Sequence, residues 1–229
     1  MKISRRLFLI QSALVPAAFS APGKLKVIIG GGHPGDPEYG CGGTAARFSD
    51  AGHDVVLLYL NQGEPNQAVR TAEARKACEI LKARPAYAGQ TDAKAIVDAA
   101  HYDAFRKIVE DEKPDVIVTQ WPIDNHRDHR AISGLAYDAW LKLGKKSEFY
   151  YYEVSNGEDT QMFTPTHYVD ITAVEPRKKA ACYAHASQTP DRYYALQSEV
   201  ARFRGLEGGY GQAEAFVRHA QSRGVLLPA

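Results

Sequence analysis

The chain has 229 residues, 45% of them hydrophobic and 24% charged, the composition of an ordinary one-domain globular protein able to bury a real core. Disorder, collagen and coiled coil are excluded. Lys+Arg of 28 against Asp+Glu of 27 leaves a formal net charge of +1, so no global field draws the chain onto nucleic acid or an anionic membrane, and a small neutral ligand is the expected partner. Cys41, Cys78 and Cys182 are odd in number and outside any CxxC pair. They write neither a disulfide framework nor a thiolate zinc site, although one bridge with one free thiol stays open.

Residues 1–21 run from a basic head (Lys2, Arg5, Arg6) through an apolar stretch, Leu7 to Ser20, to small residues that a signal peptidase accepts. That stretch is too short for a spanning helix, which needs about 20 apolar residues. A cleaved export leader is expected, and Ser4-Arg5-Arg6-Leu7-Phe8-Leu9 has the look of a twin-arginine signal. It implies a periplasmic or extracellular location without a stable membrane anchor.

Beyond the leader, one domain is expected over residues 22–229. Lys24 to Ile29 and Asp54 to Leu60 are short apolar, β-branched runs that read as buried parallel strands. Between them, Gly40 to Ala51 has helical spacing and closes on Gly52, completing a β-α-β unit. The pattern continues with a helix over Asn66 to Ala83, a short strand near Ala86 to Ala88, and a helix from Ala93 to Glu112. Asp115 to Gln120 is another strand, Trp121 to Arg130 a polar loop, and Ala131 to Leu143 a helix. Phe149 to Val154 and Tyr168 to Ile171 read as strands; Val174 to Ala186, Asp191 to Leu206 and Ala213 to Ser222 read as helices. This alternation predicts a single-domain, Rossmann-like, doubly wound and mostly parallel α/β sheet with flanking helices. Ligands in such sheets bind beyond the carboxyl ends of the strands.

Two candidate segments fall there. After the first strand, His33-Pro34-Gly35-Asp36 sets an imidazole and a carboxylate three residues apart on a proline-stiffened loop. After the strand ending at Gln120, Asp124-Asn125-His126-Arg127-Asp128-His129 adds two histidines and two aspartates. His33, Asp36 and one of these histidines would form a three-ligand shell with an open position, the pattern of a catalytic zinc. Gly30, Gly32 and Gly35 also spell GxGxxG, the dinucleotide fingerprint. It reads as a decoy: Pro34 and Pro37 are expected to hold the chain extended until about Tyr39, and the second strand ends in Asn61-Gln62 where a ribose-binding carboxylate belongs.

With these residues the sequence resembles the LmbE-like (PIG-L) zinc deacetylases, which remove acetyl from N-acetylglucosaminyl groups. The family's His-Pro-Asp-Asp-Glu loop and Gly-Cys-Gly-Gly run align with His33 to Gly43, and its Gly-Glu with Gly63-Glu64. Its Arg-x-x-Glu aligns with Arg70 and Glu73, and its His-x-Asp-His with His126 to His129. Asp-Ile-Thr and His-x-Ser-Gln elements match Asp170-Ile171-Thr172 and His185-Ala186-Ser187-Gln188. The resemblance implies a zinc-dependent N-deacetylase of an amino sugar or glycoconjugate, with His33, Asp36 and His129 on one zinc ion. It gives His126 the oxyanion and the proton for the leaving amine; Asp128, two residues away, could orient that imidazole and raise its pKa. Arg70, Tyr39 and Glu64 are the expected substrate contacts, although a surface pair with Glu73 would also account for Arg70 and a structural role for Glu64.

One departure matters. Gly35 stands where the family carries its general-base aspartate, and Pro37 where it carries a glutamate. Asp124, Asp128 or Glu38 could serve instead, His126 could act as both base and acid, or the chain could be a silent member that binds a sugar through the metal pocket. The run Tyr150-Tyr151-Tyr152 is expected to be a strand with aromatics on both faces rather than a sugar-stacking wall.

Overall fold

The computed structural model describes residues 23–228, so the leader expected over residues 1–21 lies outside the described residues. β1 (Lys26–Gly31) and β2 (Asp54–Asn61) are buried parallel strands, with Lys26 opposite Asp54. β3 (Arg84–Gln90) adds to β2; β4 (Val116–Gln120) pairs with the other side of β1, and β5 (Glu148–Tyr152) lies beyond it. β7 (Ala213–Arg218) and β6 (His167–Asp170) extend that edge antiparallel, giving the order β3-β2-β1-β4-β5-β7-β6. The winding reverses between β1 and β4, so the crevice at their carboxyl ends is the ligand position of a doubly wound sheet.

Alternation along the strands divides the core. Val27, Ile29, Leu57 and Tyr59 face a layer that includes α1 (Asp36–Asp50), α2 (Gln67–Leu81), α5 (Glu175–Tyr183) and α6 (Pro190–Gly208). Ile28, Val56, Leu58 and Ile117 face α3 (Ala99–Glu112) and α4 (Arg127–Lys142). Tyr150 and Tyr152 join the first layer while Tyr151 packs on the second, the two-faced strand expected from the tyrosine run. A Cβ on Gly40 would sit 2.3 Å from the Tyr152 ring, so only glycine lets α1 lie this close to β5. The three cysteines are free and buried.

Four expectations about the elements require correction, and each has a physical cause. α1 starts at Asp36 rather than near Gly40, because Pro37 falls in the first turn, where its missing N–H is not needed. α4 starts at Arg127 rather than Ala131, because His126 Nδ1 accepts the Asp128 N–H at 3.2 Å and caps the helix; the Asp128-His129 half of the motif is helical. α3 begins only at Ala99, where Asp98 accepts the His101 N–H at 3.0 Å; residues 93–98 form a loop across Asp128. Ala213 to Arg218 is a strand, not a helix. Glu214 accepts the Gly43 and Thr44 N–H groups at 2.8 and 2.7 Å and pairs with Lys178 at 2.6 Å, all buried, so distant partners override a helix-compatible local sequence.

Candidate active site

The loop leaving β1 carries His33, the first turn of α1 carries Asp36, and the first turn of α4 carries His129. Two chain segments far apart in sequence therefore meet at the reversal point of the sheet. Asp36 Oδ2 lies 3.2 Å from His33 Nδ1 and 3.2 Å from His129 Nε2. Ligand nitrogens of His33, His126 and His129 all fall within 4.8 Å of one another. Gln120, the last residue of β4, ties the segments together: its amide nitrogen donates to Asp36 Oδ2 at 3.1 Å and its oxygen accepts the Gly32 N–H at 2.8 Å. A Cβ on Gly32 would meet His129 Cδ2 at 2.9 Å, so glycine is what admits the imidazole.

The imidazoles of His129 and His33 are each backed by a buried carboxylate. Asp124 Oδ1 lies 3.1 Å from His129 Nδ1 and accepts the His126 N–H at 2.8 Å, while the Thr160 hydroxyl donates to Oδ2 at 3.1 Å. Asp128 Oδ2 lies 3.3 Å from His33 Nε2 and accepts from Asn61 at 3.3 Å and from the Ala93 N–H at 2.7 Å. The Asp128 carboxylate is thus turned to His33, correcting the expectation that it orients His126; only its backbone N–H reaches that ring. Such carboxylate–imidazole pairs fix ring orientation and raise basicity at metal sites. Asp124→Ala should accordingly weaken metal affinity about 10–100-fold, measured by competition with a chromogenic chelator.

The electrostatics favour a cation. Burial works against charge on His33, but Asp36, with hydrogen bonds that the imidazole donates to Asp128 and Asp92, outweighs it and holds the imidazole pKa well above its usual value. His129 is likewise opposed by burial and raised by Asp36 and Asp124, to about 9. Burial would raise Asp36, yet the two imidazoles hold it well below the ordinary carboxylate range. His126 is lowered, first by burial and then by His33 and His129. Two imidazoles and one carboxylate, without a thiolate, make a donor set that fits zinc or a similar divalent ion.

These groups open into a cavity of about 240 Å³. Arg70 lines it, with Nη2 donating to the Pro34 carbonyl at 2.7 Å. The alternative pair with Glu73 does not form, because Glu73 accepts from the Ser187 N–H and hydroxyl at 2.7 and 2.8 Å. Tyr39 also lines the cavity, its ring edge-on to Tyr193 at 6.2 Å. Glu64 is not among the lining residues; it accepts the Asp92 N–H at 3.2 Å and so positions that residue. Asp92, Asp159, His185 and Tyr193 also line the cavity, although sequence reasoning assigns them no place in it. Asp92 follows β3 and is open to the strand-end rule; Asp159, on the loop between β5 and β6, carries no local signal. The amides beneath the GxGxxG run are occupied: Glu38 accepts the Gly35 N–H at 3.2 Å and Asp36 the His33 N–H at 2.8 Å.

The fold and site define a mostly parallel α/β protein with a His/Asp centre at its topological switch point. Residues 28–140 match the PIG-L family, described as GlcNAc-PI de-N-acetylase. It is 25% identical over 212 residues to the diacetylchitobiose deacetylase of Thermococcus kodakarensis, spanning 80% of this chain and 78% of that protein. The crystal structure of a conserved Thermus thermophilus protein, TT1542, superposes with a TM-score of 0.78 at 26% identity, covering 88% of this chain and 97% of that one. A 4-carboxy-2-hydroxymuconate hydratase from Pseudomonas putida has the same fold, with a TM-score of 0.76 at 20% identity over 90% of this chain and all of that one. Fold alone therefore does not choose the reaction; the side chains in the cavity must.

Proposed function

We propose that the chain is a zinc-dependent hydrolase that removes the N-acetyl group from an N-acetylglucosamine-type sugar or glycoconjugate. The observation that carries this reading is the convergence of His33, Asp36 and His129 beside His126 in one cavity. Its relative from Thermococcus kodakarensis, a diacetylchitobiose deacetylase, supports the substrate class. Zinc held by His33, Asp36 and His129 supplies Lewis acidity toward the amide oxygen and lowers the pKa of water to about 7. His126 has its Nδ1 engaged as the acceptor of the Asp128 N–H, so its neutral ring carries the proton on Nε2. That nitrogen has no partner among the described residues and donates a hydrogen bond to the oxyanion of the tetrahedral intermediate. Arg70, Tyr39 and Tyr193 form the wall against which the sugar is held. We also infer export through the leader of residues 1–21, which rests on the sequence alone.

The test is acetate release from N,N'-diacetylchitobiose and N-acetylglucosamine conjugates by the zinc-loaded chain, with the free amine counted in parallel. Equal amounts of acetate and amine are expected, abolished by a chelator and restored by zinc. Glycine at position 35 favours one rival reading, a silent sugar-binding member. Zinc and sugar bound without acetate release from any conjugate would establish that rival and sink the hydrolase.

A further inference from the structure

The backbone at Gly35 has φ 114° and ψ −39°, a conformation that side chains rarely adopt, so the loop is built without a carboxylate there. The carboxylates considered from sequence are committed elsewhere. Asp124 and Asp128 are buried behind His129 and His33. Glu38 is fully buried, accepting the Tyr59 hydroxyl at 2.7 Å and lying 2.9 Å from His185 Nε2. His126 fails as a base in this arrangement, since one nitrogen caps α4 and the other carries the proton. Three aspartates line the cavity: Asp36, proposed for the metal; Asp92, held 3.2 Å from His33 Nε2; and Asp159.

Asp159 is different from the other two. It is partly buried, and its carboxylate makes no hydrogen bond or ion pair among the described residues. Its loop is nevertheless firmly placed. The Asp159 carbonyl accepts the Asn125 N–H at 2.9 Å, its N–H donates to the Ser155 carbonyl at 2.8 Å, and Thr160 forms a bridge with Asp124. Glu153, at the start of the loop, is anchored by buried hydrogen bonds from Arg204 at 2.7 and 2.9 Å. The loop is thus sewn to the segment that carries His126 and His129.

Resting on the deacetylase reading, we propose that Asp159 is the proton acceptor and donor that replaces the aspartate absent at position 35. Its carboxylate takes one proton from the attacking water as the water oxygen bonds to the acetyl carbon. The displaced electron pair of the C=O bond goes to the carbonyl oxygen, where His126 donates its hydrogen bond. The same proton then passes from Asp159 to the amide nitrogen as the C–N bond breaks. Acetic acid and a free amine leave, and the carboxylate is restored. Burial raises the Asp159 pKa, with His129 opposing and Asp124 and Asp36 reinforcing, which suits a group that must hold the proton between the two transfers.

The experiment compares the zinc-loaded wild type with Asp159→Asn, a change of one atom that preserves shape. Zinc content, sugar affinity by calorimetry, and turnover at saturating diacetylchitobiose are measured. Turnover is expected to fall about 10²–10⁴-fold while zinc stays near one per chain and affinity changes less than about threefold. Retained turnover in the variant would overturn the assignment and leave the deacetylase reading standing. So would loss of zinc or of sugar affinity together with turnover, which would make Asp159 a positioning or binding residue. A wild type that holds zinc and releases no acetate would sink the deacetylase reading itself, and this assignment with it.

Discussion

His129→Ala is expected to abolish the proposed zinc binding, lowering zinc from about one per chain to near zero after dialysis and ending acetate release in the same step. The reason is geometric. His129 Nε2 and His33 Nδ1 flank the same Asp36 oxygen at 3.2 Å, and removing the His129 imidazole leaves only His33 and the first residue of α1, Asp36, two donors where a catalytic zinc takes three. The substitution also leaves Asp124 without the imidazole 3.1 Å away. Elemental analysis of the two proteins, with circular dichroism to confirm that the variant is folded, decides the matter. Stoichiometric zinc in a folded His129→Ala protein would rule out the proposed ligand set.

A second large effect is expected at His126, with the opposite signature. His126→Ala should keep zinc near one per chain and lose about 10²–10³-fold in turnover, the range for removing one donor to a developing oxyanion. Its ring packs face to face with His129 at a 4.7 Å centroid distance and edge-on to His33 at 4.6 Å, so it shares the cavity, while the proposed ligand roles stay with those two rings. Loss of the helix cap should cost about 1 kcal/mol of stability, read in a urea titration, and this must be separated from the kinetic loss. If zinc leaves with the imidazole, His126 is a ligand and its oxyanion role falls.

Much of this site is legible in the sequence. Apolar runs punctuated by Gly30-Gly31-Gly32 and Asn61-Gln62-Gly63 mark parallel strands, and the end of such strands is where His33, Asp36 and His129 are expected and where they meet. What stays hidden shares one property. The cap on α4 is an imidazole, the strand character of Ala213–Arg218 depends on Glu214 reaching α1 and Lys178, and the partner of Asp128 is His33 rather than its near neighbour His126. None of these follows from the spacing of residues along the chain.

The sequence by itself determined the alternating architecture and which imidazoles and carboxylate could gather at the sheet edge, because hydrophobic period and strand-end position are local properties. The tertiary structure alone decided how each carboxylate is used. Asp124 and Asp128 are buried behind imidazoles while Asp159, from a loop without any motif, lines the cavity with its oxygens unengaged by the described residues. Orientation of a side chain depends on packing between segments far apart in the chain, and no residue pattern within either segment encodes it.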